Sequence, residues 1–223
     1  MSSNKHIAIF SSLLFVIPII TLLICFQIII KNYPDFFTIP FIDGKASVSQ
    51  IGRGEKTIKI FRTGFFLYIL ISIFFYFKLS SFIYLIGIKN KFKIYGLLAN
   101  FFLLIYIIAL GREGSIFETL RRLAIIFYIT NNYINHIYLT KILNSLRSKG
   151  KLQFKKIYST IFYAIIAFMT ILAIIGLPWV NPLFQYPNQL KNIIEWNFFL
   201  LTIIFYIPLS FMFYQLNKKT KQL

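Results

Sequence analysis

Residues 7–30 read IAIFSSLLFVIPIITLLICFQIII, 24 consecutive positions without a charged side chain. A helix needs about 20 such residues to cross a bilayer core. In lipid every backbone N–H and C=O must be satisfied within its own segment, so a run of this kind reads as a helix. The pattern continues along the chain. Ile94–Leu110, Leu123–Thr140, Tyr158–Gly176 and Asn197–Asn217 are also free of Asp, Glu, Lys and Arg, and Thr63–Ile88 is interrupted only by Lys78. That lysine either snorkels near a helix end or marks a turn after which Phe82–Ile88 lies along the interface. The expected fold class is therefore all-α: a polytopic membrane helix bundle with six transmembrane helices and both termini cytoplasmic. It forms a single domain over 1–223, with spans of about 7–30, 63–86, 94–110, 123–141, 157–177 and 196–217.

The first run is too long for the 7–15-residue core of a secretory signal, and no small-x-small cleavage site follows it. Ile24 also stands where a lipoprotein signal ending at Cys25 would need a small residue. The run is expected to be a retained first helix. Cys25 is the single cysteine, so no internal disulfide can form.

Composition excludes the soluble alternatives. Of the 223 residues 58% are hydrophobic and only 13% charged, where a soluble domain is about a quarter charged. The net charge of +18 is carried in short patches such as Lys89–Lys93 and Arg147–Lys156, each beside a membrane run. Juxtamembrane clusters of this kind face anionic headgroups, at about 1 kcal/mol per residue near the surface. The expected partners are thus membrane lipids, with anionic headgroups at the cytoplasmic face, and not nucleic acid.

Orientation follows from the same residues. With six spans, the N-terminus, the second and fourth loops and the C-terminal tail share one side and hold 14 of the 24 lysines and arginines. An excess of basic residues marks the cytoplasmic side. All six acids, Asp35, Asp43, Glu55, Glu113, Glu118 and Glu195, fall in the first, third and fifth loops. Acids contribute little to topology, so their one-sided placement suggests a polar site of mixed charge on the non-cytoplasmic face.

The first loop, 31–62, runs Asp43-Gly44-Lys45-Ala46-Ser47-Val48-Ser49-Gln50-Ile51-Gly52-Arg53-Gly54-Glu55. Its glycines and serines among charges suit a backbone folded around a phosphate or headgroup, or a surface loop that caps the bundle. In the third loop Glu118 precedes Arg121 and Arg122 by three and four residues, which suits a local helical ion pair. Arg112 and Glu113 have no such partner nearby. The fourth run carries Asn131, Asn132, Asn135, His136 and Thr140. Polar groups at that depth turn inward, toward other helices or a wet cavity. Glu195-Trp196 opens the last run, where an acid complements the helix dipole and tryptophan suits the interface, with Trp179 on the other flank of the fifth loop. The two histidines, His6 and His136, cannot supply a His-rich metal site. No metal or cofactor is expected.

Taken together, Ser47-Val48-Ser49, Gly52-Arg53, Ile60-Phe61-Arg62 entering the second run, Arg112-Glu113-Gly114 with Arg121-Arg122, and Glu195-Trp196 resemble elements of the DRAM/FRAG/SFK family of six-span membrane proteins. The resemblance covers nearly the whole chain in span count and loop order. It implies a role in lipid handling and brings no agreed set of catalytic residues. The Lys-, Asn-, Ile- and Phe-rich composition reads as an AT-biased bacterial genome, which makes the inner membrane the expected location and a eukaryotic endomembrane the alternative.

The expected function is that of a membrane protein with a lipid-headgroup site on its non-cytoplasmic face. The candidate residues are Asp43, Ser47, Ser49, Arg53, Glu55, Arg62, Arg112, Glu113, Asn132, His136 and Glu195. Two alternatives stand beside it. One is a lipid-modifying hydrolase or transferase using Ser47 or Ser49 with His136 and the loop acids. The other is a small transporter or a non-catalytic assembly subunit. Unpaired charges at the edge of a low-dielectric bundle are costly, so Arg53, Arg62, Arg112 and Glu195 are expected within roughly 10 Å of a common cavity, with Asn132 and His136 pointing to it from below.

Overall fold

The structure is a computed structural model that describes residues 3–33, 38–88, 91–176 and 188–219. Among them there are helices and no strands. They are α1 (Ser3–Asn32), α2 (Val48–Gly52), α3 (Ile58–Leu85), α4 (Phe92–Ala109), α5 (Ser115–Ser148), α6 (Lys156–Ile175), α7 (Asn188–Ile204) and α8 (Tyr206–Lys219). The fold class is all-α, as the runs of apolar residues require.

Five helical stretches are long and apolar enough to cross a membrane: α1, α3, α4, α6, and α7 with α8 taken as one run over Gln189–Lys218. Within that run the helix breaks at Phe205, three residues before Pro208. Proline has no N–H to give the carbonyl four residues earlier, here that of Ile204, and its ring crowds that carbonyl. α3 runs unbroken from Ile58 to Leu85 with Lys78 exposed on its side, so Phe82–Leu85 is helix rather than a separate interfacial segment.

α5 contains the fourth expected run. At 34 residues it is the longest helix, and at 1.5 Å per residue it extends about 50 Å. Its polar residues, Arg121, Arg122, Asn131, Asn132, Asn135, His136 and Lys141, keep it outside the apolar set. Most of these amides, with His136, are packed inside the bundle. Asn132, Asn135, His136 and Thr140 are all buried.

Several polar groups of the core answer one another across helices. The Asn100 amide donates to Ser72 Oγ at 3.0 Å. The Asn135 amide donates to the Tyr76 hydroxyl at 2.9 Å, and that hydroxyl pairs with the hydroxyl of Tyr206 at 2.9 Å. His136 Nε2 lies 3.2 Å from the Thr202 carbonyl, and its ring stacks on Phe205 with 4.0 Å between centroids. Without water in the surrounding lipid, such groups must find partners within the protein.

At one end of the bundle the chain ties its own helix termini together. The last carbonyls of α4 have no intrahelical donors. Arg62, from the start of α3, donates through Nε to Ile107 O at 2.9 Å and through a terminal nitrogen to Ile108 O and Leu110 O. Arg121, from the start of α5, donates to Ala109 O at 3.2 Å and Arg112 O at 2.8 Å. The first loop is brought to this same end by α7. Asn197 donates to Phe41 O at 3.0 Å, Asn192 to Gly44 O at 2.8 Å, and Trp196 Nε1 to Ala46 O at 2.8 Å.

Candidate functional site

Each candidate residue of the first loop has a distinct local role. Asp43 organises a turn: Oδ1 accepts from the Thr38 hydroxyl at 2.5 Å and from Lys45 N at 3.1 Å, while Oδ2 accepts from Ile39 N at 3.0 Å. The Thr38 hydroxyl above all, then the two backbone donors, hold this carboxyl below its ordinary pKa. Ser47 is the N-cap of α2. Its Oγ accepts from Gln50 N at 3.1 Å while Gln50 Oε1 accepts from Ser47 N at 2.6 Å, a reciprocal capping box. The turn that follows the cap places Ser49 and Arg53 facing α5 and α7.

There they line an open cavity of about 800 Å³. Its charged end carries Arg53, Glu118, Arg121, Arg122, Lys191 and Glu195, with Ser49 and Tyr106. Its deeper walls are mostly apolar, with Ile125, Ile126 and Ile129 of α5, Leu172 and Ala173 of α6, and Phe198 of α7, and they also hold Thr130 and Tyr133. The lining residues of α5 recur at three- and four-residue intervals from Glu118 to Tyr133, one stripe of a helix.

The charges are unevenly matched. Arg122 pairs with Glu118 at 2.5 Å, the local ion pair that the four-residue spacing predicted, and both side chains are exposed. Exposed pairs of this kind contribute about 0–1 kcal/mol. Glu195, half-buried, forms no ion pair among the described residues although four cationic side chains line the same cavity.

No protein-family model, curated protein or solved structure matches the chain.

The four side chains expected around one cavity divide between two. Arg53 and Glu195 line the cavity just described. Arg62 and Arg112 line a separate open groove of about 430 Å³ with Thr63, Phe66, Leu104, Ile107 and Ile108. The division has a physical cause: Arg62 is drawn to the α4 carbonyls, and the Arg112 guanidinium lies over the Phe117 ring at 5.3 Å. Glu55 and Glu113 are exposed.

Asn132 and His136 do not reach the cavity. The Asn132 amide donates back to Tyr128 O at 3.2 Å. His136 continues the α5 stripe below Tyr133, but Phe205 covers its ring and Thr202 O takes its Nε2. Ser49 therefore meets the cavity without a histidine, and its Oγ is shared with Ser47 Oγ at 2.9 Å. The hydrolase alternative built on a serine and His136 has no nucleophile–base pair here.

Sequence reasoning missed Arg121, Lys191, Tyr106 and the clamp of Asn192, Trp196 and Asn197. Trp196, taken for an interfacial belt residue, is 1% exposed and packs between Phe26 and Phe41. Trp179 lies outside the described residues. One signal was available for the clamp: Asn192 and Trp196, four residues apart, share a helical face.

Proposed function

We propose that the protein is a six-span inner-membrane protein that binds a membrane lipid, headgroup first, in the cavity between the first loop, α5, α6 and α7. The supporting observation is the polarity of that cavity, cationic at one end and apolar along its depth. Its volume of about 800 Å³ suits a small-molecule site, for which about 300–1,000 Å³ is usual. Guanidinium groups match phosphate oxygens in a bidentate way, and lysine adds a point charge. Isoleucines and Phe198 suit the first part of an acyl chain. In this reading α5 crosses the bilayer as the fourth span, both termini are cytoplasmic, and the cavity opens toward the non-cytoplasmic leaflet. The cytoplasmic lysines and arginines contact anionic headgroups on the other side. The resemblance to the DRAM/FRAG/SFK family belongs to the same reading, since lipid handling is what it implies.

Retention of phospholipid by the purified protein, followed by native mass spectrometry, tests the site. Charge-assisted hydrogen bonds contribute about 1.5–3 kcal/mol each, so replacing Arg53 and Lys191 together by alanine is expected to lower retention at least tenfold. The control Arg112→Ala, in the other groove, should leave it unchanged. Equal losses in both variants would mean that a diffuse surface charge, and not the cavity, holds the lipid.

Topology is tested separately. Reporter fusions at residue 50 and residue 150 are expected to give opposite signals, because α3, α4 and α5 cross between them. Matching signals would exclude α5 as a span.

A further inference from the structure

Resting on the lipid-site reading above, we infer that the cavity selects phospholipids whose headgroup carries a primary ammonium as well as a phosphate. Glu195 is the residue that sets the selectivity. A cavity that held only an anionic headgroup would need cations alone, yet this one places a half-buried carboxylate among Arg53, Arg121, Arg122 and Lys191. Glu118 is already matched by Arg122. Glu195 accepts from the Val48 backbone N–H but has no cationic partner among the described residues, and a phosphate drawn to Arg53 and Lys191 would share the cavity with its charge. Like charges held in one cavity disfavour each other. An ammonium tethered to that phosphate removes the conflict, because it brings a cation to Glu195 while the phosphate occupies the basic groups.

The remaining groups fit an ammonium with N–H donors. A primary ammonium has three donors and needs three acceptors. Glu195, Tyr106 and Ser49 all line the cavity. The Tyr106 hydroxyl is buried, with the residue 3% exposed, and faces Ser49 without a hydrogen bond of ordinary length. Tyr106 and Glu195 also share the wall of a small space of about 20 Å³ with Tyr128. A trimethylammonium has no N–H to donate to these acceptors. A glycerol headgroup has no charge for Glu195. Ethanolamine and serine headgroups both meet the requirement.

The test is competitive lipid retention by the full-length protein, read by native mass spectrometry with dioleoyl phosphatidylethanolamine, phosphatidylserine, phosphatidylcholine and phosphatidylglycerol. The two primary-amine lipids are expected to be retained about tenfold over the other two. In Glu195→Gln, an isosteric change that removes only the charge, that ratio should fall to about one. In Tyr106→Phe it should fall about threefold, a second variant that reads the same site if the first does not fold. A wild-type protein that retains phosphatidylglycerol as well as phosphatidylethanolamine, through Arg53 and Lys191, would overturn this inference and leave the lipid site standing. Retention insensitive to Arg53 and Lys191 would overturn both. Preference for serine over ethanolamine, or the reverse, would identify which amine lipid is the ligand.

Discussion

Replacing Gly44 by alanine is expected to unlatch the first loop from α7 and to destabilise the protein by about 3 kcal/mol or more, well above the usual effect of a point change. Gly44 has φ +59°, in the left-handed region. Alanine there costs about 1–2 kcal/mol before any contact is considered. The new Cβ would lie 2.0 Å from the Gln189 carbonyl oxygen, 2.7 Å from its carbon and 2.9 Å from Ile193 Cγ1. Two of those atoms are backbone in the first turn of α7, so no side-chain rotation relieves the overlap. Moving the loop away breaks the bond from Asn192 to Gly44 O and strains that from Trp196 to Ala46 O, since both donors sit on one rigid helix. Gly150→Ala supplies the comparison. Gly150 has φ +69°, and an added Cβ there meets nothing within 4 Å. It should show the conformational cost alone, about 1–2 kcal/mol. Unfolding midpoints in a graded denaturing-detergent titration would measure both. Equal losses would mean that the close approach to Gln189 is relieved at no cost.

How much of this was legible in the sequence varies with the physical cause. Bilayer thickness and backbone satisfaction act on single segments, so α1, α4 and α6 could be read from runs of apolar residues. The capping box of α2 was not recognised, although Ser47 and Gln50 stand at its spacing. The pairing of Glu118 with Arg122 was readable because four residues along a helix fix the neighbours. Contacts between distant segments were not. Nothing in the composition says that Arg62 will satisfy the carbonyls of Ile107 and Leu110 instead of facing a ligand. The same holds for Trp196, which suits an interface by type and fills the core in fact. His136 shows the limit most plainly. Its stripe on α5 does line a cavity as far as Tyr133, and only the position of Phe205, set by the break before Pro208, closes the next turn.

That same core supports the second large expected effect. Gly96→Ala is expected to cost about 2–4 kcal/mol, through overpacking and the hydrogen bonds it breaks, even though alanine is the better helix former by about 1 kcal/mol. A Cβ at position 96 of α4 would lie 2.5 Å from two atoms of the Tyr76 ring and 2.7 Å from a third. The ring belongs to a side chain, so the question is whether it can yield. Tyr76 is 1% exposed, its edges meet Phe75 and Phe92, and its hydroxyl holds both Tyr206 and the Asn135 amide. Shifting it breaks those two bonds in a place where no solvent replaces them. Asn135 is then worse placed than most, because its Oδ1 already lacks a partner among the described residues. Tyr76→Phe keeps the ring and removes only the hydroxyl, so it should cost less, about 1–2 kcal/mol, the usual penalty of an orphaned buried amide. If the ring is what alanine strikes, Gly96→Ala should become cheaper once Tyr76 is leucine. The double variant would then fall short of the sum of the two single losses by 1 kcal/mol or more, within the usual range for residues in contact. Additive losses would place the obstacle elsewhere in the α3–α4 interface and show that the tyrosine–asparagine network carries little of the stability.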